Sequence, residues 1–336
     1  MRAIPLAFVL ATTTLARAES IGPLVEHRLF SPSPQPTGLF GYSSAVQGKR
    51  MVIGALTEDG VTPESGAAYV YRRVGDQWQL QSRLVAPDGQ SDDLFGTSAS
   101  LDGDTLVIGA PSAATPDGIP AGAAYVFREV SGQWQLEARL IASDPTPFAN
   151  FGFDQGVSIS GDTIVVTTAG VETGEDVTTG GAAYVFTRRG TVWTQTARIT
   201  DPDDADPAGF GNSVSIRGKT LVVGAAGADD GAGAAYVFRL HHDAWVKQAR
   251  LTALDRAPSA GFGFSTAIDG DAIAIGGVNT TNDAGMATGA TYVFERDDDR
   301  WIQRARLLAP GGRDGDGLGR RVVLGDGTLA AGSEGE

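Results

Sequence analysis

Five near-copies of one apolar string are spread through the chain: SGAAYVY at 65–71, AGAAYVF at 121–127, GGAAYVF at 180–186, AGAAYVF at 232–238 and TGATYVF at 288–294. Enzymes rarely write a catalytic string five times, whereas a packing position repeated around a symmetric body has to recur. Other residues keep phase with it. Trp falls at Trp78, Trp134, Trp193, Trp245 and Trp301. An Arg followed by Leu or Ile falls at Arg28, Arg83, Arg139, Arg198, Arg250 and Arg306. Twelve residues after each of those comes Phe40, Phe95, Phe151, Phe210, Phe262 or Leu318, each followed by Gly. Successive Trp are 56, 59, 52 and 56 residues apart, a period that signals propellers or solenoids.

One unit divides into four strand-like pieces. FGTSASL (95–101) leads through an Asp-Gly turn into DTLVIGA (104–110); a loop leads to GAAYVFRE (122–129), and Ser-Gly turns the chain into WQLEARLIA (134–142). Asp-Gly between two such runs is a strong hairpin signal. No helical period intervenes, so each unit reads as one four-stranded antiparallel propeller blade. The first piece is built of Gly, Ser, Thr and Ala, thin enough for an axis where blades crowd. The second and third are apolar on both sides, which suits a sheet sandwiched between neighbours. The fourth alternates Trp134, Leu136, Ala138 and Leu140 with Gln135, Glu137 and Arg139, the pattern of an outer rim strand. The five tyrosines Tyr69, Tyr125, Tyr184, Tyr236 and Tyr292 are expected to be buried between blades.

Phe-Gly opening the unit, GAP (109–111) after the second piece and GAAYVF in the third together resemble the FG-GAP repeat, the blade unit of the integrin alpha-chain propeller, and are most similar to the bacterial-type FG-GAP proteins. The resemblance spans nearly the whole chain after its first residues, although single units drift: Thr167-Thr168 and Gly276-Gly277 stand where Gly-Ala is expected. It implies a seven-bladed ring and a ligand-contacting face made by the loops between strands two and three and the loops between blades. One family feature does not carry over. Integrin-type blades often hold calcium in an Asp-rich loop between strands one and two. Here that connection is two residues, too short to wrap a cation taking six to eight oxygens. Asp102 and Asp104 are therefore read as turn residues.

Blade boundaries follow: five complete blades at 40–86, 95–142, 151–200, 210–253 and 262–309, with repeat starts near 40, 95, 151, 210, 262 and 318. LVEHRLF (24–30) reads as a fourth strand that belongs to no preceding blade and would latch the ring by completing the last one. GRRVVLGDGTLAAG (319–332) supplies strands one and two of that split sixth blade, with no third. The expectation is an all-β ring, cut from one of seven blades. Residues 1–18 read as a signal peptide: Arg2, the apolar run from Ala3 to Ala16, and an A-x-A site at 16–18, leaving 19–336 as the propeller domain. No segment has enough consecutive apolar residues to span a bilayer. A secreted, cell-surface or periplasmic location is expected.

The chain of 336 residues has no Cys, so disulfides, thiolate metal sites and Cys nucleophiles are excluded together. Its net charge of −14 argues against nucleic acid, which needs clustered Lys and Arg. The loops between strands two and three (56–65, 111–121, 169–180, 226–232, 278–288) hold ten Asp or Glu and no Lys or Arg; the blade-connecting loops (87–94, 143–150, 201–209, 254–261, 310–317) hold eleven acids and two Arg. Alternating strand directions put both sets on one face. Arg72, Arg73, Arg128, Arg188, Arg189, Arg239 and Arg296 close the third strands on the other. An electrically two-faced molecule is expected. Its acidic face is either solvating or a binding surface for an extracellular protein or glycan ligand of cationic character, with Asp92, Asp93, Asp203, Asp204, Asp229 and Asp230 as candidate contacts. Asp201, Asp203 and Asp206 are a weak candidate for calcium; otherwise no cofactor is expected. No Gly-x-Ser-x-Gly elbow and no His-Glu-x-x-His motif occurs. The three His (His27, His241, His242) form no constellation. The reading is a non-enzymatic adhesion or binding module. The alternatives are a propeller hydrolase or lyase acting on glycans through paired carboxylates, or a structural spacer of a longer surface protein.

Overall fold

The computed structural model describes residues 9–12, 28–168, 171–173, 177–201, 209–325 and 327–333. Among them the structure is all strand, turn and loop. Five four-stranded antiparallel sheets, at 40–84, 99–140, 157–200, 210–251 and 262–307, are five propeller blades in chain order. A partial sixth sheet pairs Arg321–Gly325 with Thr328–Gly332, and Val9–Thr12 runs antiparallel to residues 328–331. The expected signal-peptide segment otherwise lies outside the described residues, as do 24–27 of the expected latch strand. Arg28–Phe30 form no strand. Leu29 nevertheless packs with Phe40, Tyr69 and Tyr71 of the first blade, as Leu84 packs on the second.

The second and third strands are buried on both faces, because the sheets of blades two to five are each sandwiched between two neighbours and blade one between blade two and the segment around Leu29. In blade two Thr105–Ala110 is buried throughout, and Ala123–Val130 is buried over its first five residues. One inter-blade core shows the rule. Val52, Ala68, Val70 and Leu84 of blade one meet Phe95, Leu106, Ile108, Tyr125, Phe127 and Trp134 of blade two. The five tyrosines are at most 4% exposed, as expected. Within each blade the Phe of Phe-Gly packs on the Tyr ring, Phe95 on Tyr125 at 5.6 Å and Phe262 on Tyr292 at 5.3 Å between centroids. Such ring pairs contribute about 0.5–1.5 kcal/mol beyond burial.

First strands are thin because they are stitched sideways. The hydroxyls of Ser43, Ser98, Ser213 and Ser265 donate to the carbonyls of Gly96, Gly152, Gly263 and Gly319 in the next blade, at 2.5–2.9 Å. Lower down, the amides of Ile159, Ile216 and Ile268 donate to Ser100, Ser158 and Ser215 of the blade before. A Cβ on Gly109 would lie 2.1 Å from the Gly152 carbonyl oxygen, so the Gly of Gly-Ala-Pro is what lets neighbours close. The Gly of Phe-Gly meets both needs: Gly96 sits at φ +100°, and a Cβ there would lie 2.4 Å from the Ala67 carbonyl oxygen.

Two expectations about the strands are corrected. The turn between strands one and two falls one residue later than Asp-Gly suggests. Asp102 closes the first strand opposite Thr105, and Gly103 takes the first turn position at φ +60°. Positive φ at that position alone gives a II′ turn rather than I′. The shift leaves the Asp102 carboxylate to accept from Gln47 and from the Gly161 amide, both at 2.6 Å. The fourth strands do not alternate cleanly, because each carries a β-bulge. Pairing skips Gln81, Glu137, Thr196, Gln248 and Arg304. The bulge turns Leu136 outward to 42% exposure and buries Glu137. It also explains part of the Trp period: the indole N–H of Trp193 donates to Glu137 at 2.8 Å, and that of Trp301 to Gln248 at 3.4 Å, in the blade before.

Candidate functional site

The loops between strands two and three share a face with the blade-connecting loops, as the alternation of strands requires. The amides of Phe95, Phe151 and Phe262 donate to the carbonyls of Ser65, Ala121 and Ala232 at 3.0–3.2 Å, which seats each new blade beside the preceding loop.

Five arginines from fourth strands also reach this face, and loop composition does not reveal them. In blade two the Tyr125 hydroxyl donates to Asp88 at 2.8 Å and accepts from Arg139 Nε at 3.1 Å, while Arg139 ion-pairs with Asp88 at 3.3 Å. The unit recurs. Asp144 pairs with Arg198 at 2.9 Å beside Tyr184. Tyr236 donates to Asp201 at 3.2 Å and accepts from Arg250. Asp255 accepts from Tyr292 at 3.3 Å and pairs with Arg306 at 2.8 Å. In blade one the buried Glu58 substitutes for the connecting-loop Asp, taking Tyr69 and Ser31, with Arg83 at 3.9 Å. Burial pushes the Tyr236 and Tyr292 hydroxyls up to about 12. These carboxylates hold the propeller together, and the arginines neutralise part of the face.

The candidate contacts therefore divide. Asp92 and Asp230 are exposed at left-handed φ of 67° and 59°. Asp93 is buried and accepts the Gln90 amide at 2.8 Å; burial raises its carboxyl above the usual range. Asp229 ion-pairs with Arg250 and Arg256. Of the calcium candidates, Asp201 faces Tyr236, while Asp203 and Asp206, like the contact candidate Asp204, lie outside the described residues. Among the described residues no group of three or more Asp, Glu or His is arranged to hold a metal. On the opposite face, arginines are again paired. Arg188 is 10% exposed, held by Asp162 and Glu137. Arg128 faces Asp104 and Glu137, and Arg296 faces Asp271. Glu129 accepts from Gln81 and Arg50; burial alone would raise its carboxyl, but those donors hold it below the ordinary value. The expected charge contrast between faces is thus reduced on both sides, leaving Arg189 and Arg239 exposed.

Sequence reasoning missed the axis. A cavity of about 440 Å³ runs along it, lined by the first strands of all five blades and by the sixth sheet. Two places break the repeat there. Blade three inserts two residues, Asp154 and Gln155, after Phe151-Gly152, and the last unit has Arg321 where other blades have the stitching Ser. The two exceptions meet: Arg321 ion-pairs with Asp154 and stacks 5.7 Å from the Tyr42 ring. The signal was in the sequence as the longer span from Phe151 to the next Gly turn.

The FG-GAP repeat family model matches the chain five times, over residues 28–71, 78–127, 134–186, 193–238 and 245–294. Each match after the first begins in a fourth strand, and all five end in a third strand. That offset follows the packing, because a fourth strand and its loop supply the Leu and Asp that the next blade's Phe and Tyr require. A comparison with curated proteins gives no match. With matches over well more than half its length, the chain belongs to the FG-GAP repeat family.

Proposed function

We propose that this chain is a non-enzymatic binding module, secreted or displayed at a cell surface, that recognises a cationic extracellular protein or glycan partner through its loop face. The observation that carries the reading is the contrast between scaffold and loops. The five blades repeat one core pattern, whereas the loops 56–66, 111–122, 169–181, 226–233 and 278–289 differ in length and sequence. Variable loops on a rigid scaffold suit recognition. Carboxylates not consumed by the tyrosine–arginine units, such as Asp92, Asp117 and Asp230, are exposed there. Exposed carboxylates contribute little to stability, which leaves them available for a partner.

The test is a binding assay against extracted surface or matrix material at several salt concentrations, with and without a chelator. Association should weaken with salt, since the Debye length falls to about 8 Å at 0.15 M. Asp92→Asn with Asp230→Asn, or Asp203→Asn with Asp204→Asn, should weaken it without lowering the melting temperature. Arg189→Glu with Arg239→Glu, on the other face, should not. Equal loss from both faces, or no binding at any salt concentration, would overturn the reading.

A further inference from the structure

From the axial cavity we infer that this propeller carries a second site, for a neutral sugar, at the end of the channel that opens on the loop face. Four first strands there end in the same hydroxyl tie to the next blade. Blade three and the sixth sheet forgo it and spend those positions on Asp154 and Arg321, which pair across the axis. Asp154 is only 12% exposed and sits at a left-handed φ of 49°. Its partner Arg321 is 36% exposed, so the pair is half open to solvent and is weak evidence of stabilisation.

The polar groups around the pair are held in place but only partly engaged by the protein. Gln155 is pinned by its amide nitrogen, which donates to the carbonyls of Arg320 at 3.0 Å and Phe264 at 3.4 Å, so its Oε1 has a fixed direction. Arg321 donates through Nη2 alone, to Asp154 Oδ1 and, at 3.5 Å, to the Tyr42 carbonyl. Among the described residues, Arg321 Nε and Nη1, Asp154 Oδ2 and Gln155 Oε1 have no protein partner. None of them is fully enclosed. Two sets of donors and two acceptors thus border a cavity of about 440 Å³, within the range of small-molecule sites.

The chemistry selects the ligand. Asp154 and Arg321 cancel in charge. A bare cation would meet the guanidinium and a bare anion the carboxylate, each at a cost. A neutral molecule offering donors and acceptors together satisfies both, and vicinal hydroxyls do so. Apolar surface lies beside them: Tyr42 lines the cavity and is half-buried, so the C–H face of a pyranose has a platform. This site uses none of the loop carboxylates, and its failure would leave the loop-face reading standing.

The experiment is titration calorimetry of the full chain against glucose, galactose, N-acetylglucosamine, glucuronate and glycine. Saturable binding of at least one of the three neutral sugars is expected. Gln155→Ala and Arg321→Gln should each weaken it at least tenfold, and Gln155→Glu, which keeps the side-chain volume, should weaken it too. Asp230→Asn should not change it. Melting temperatures recorded alongside identify any variant that fails to fold, and the remaining variants then decide. Binding of none of the neutral sugars, preference for glucuronate or glycine, or sugar binding unchanged in the folded axial variants would overturn the inference.

Discussion

Removing one hydroxyl from Tyr69 should destabilise the propeller more than removing it from Tyr125, although both rings are 1% exposed. Tyr→Phe keeps the ring and its contact with Phe40 or Phe95, so the change isolates the polar interaction. In blade two the hydroxyl joins Asp88 and Arg139, whose side chains are 52% and 22% exposed and which pair with each other at 3.3 Å. Without Tyr125 the pair persists and water reaches Asp88, so the expected cost is about 1 kcal/mol. In blade one the partner is Glu58, whose side chain is 1% exposed, and Arg83 stands 3.9 Å away. Tyr69→Phe leaves a buried carboxylate with Ser31 as its one remaining close donor among the described residues. The cost should approach the 2–3 kcal/mol typical of a lost bond to a buried charged group. Equilibrium urea unfolding of both variants measures the difference. Equal costs, or a larger cost at Tyr125, would refute the claim that Glu58 is the buried substitute for the loop Asp.

Gly109→Ala should cost at least 1–3 kcal/mol, because its Cβ would sit 2.1 Å from the Gly152 carbonyl oxygen. Gly325→Ala, with nothing within 4 Å, should stay within about 0.5 kcal/mol; similar melting temperatures for the two would contradict the close-approach argument. Asp93 has its folded value raised by burial, so its contribution to stability is full below about 3.9, the unfolded value, and is lost as pH rises through the folded one. Asp93→Asn should therefore be at least as stable as the parent near neutrality, with the gap closing in acid; a pH-independent gap in thermal melts would count against it.

The blade count, the phase of each unit and the buried tyrosines were legible because they repeat: Phe95, Tyr125 and Trp134 have counterparts at fixed spacing, and repetition separates packing from chance. What stayed hidden depends on registers and long separations. The II′ turn at Gly103 and the Asp-Gly turn read from sequence differ by one residue, and only the strand pairing decides between them. The bulge at Glu137 reverses the sidedness of half a strand without altering its composition. Arg139 looks like a rim residue until the strand is seen to carry its side chain up to Asp88. The Asp154–Arg321 pair joins positions 167 residues apart, so neither exception to the repeat announced the other.

The fourth-strand arginines are structural tethers of the loop face rather than rim charges. Arg139 bonds the Tyr125 hydroxyl, Asp88 and the Ala114 carbonyl. Arg189 is an exposed residue at the far end of a third strand. Unfolding free energies of Arg139→Ala, Arg250→Ala and Arg306→Ala should each fall by roughly 2–3 kcal/mol. Arg189→Ala and Arg239→Ala should change by less than about 0.5 kcal/mol. Two separated groups would match the structure; a single continuous spread, with Arg139→Ala no worse than Arg189→Ala, would contradict it.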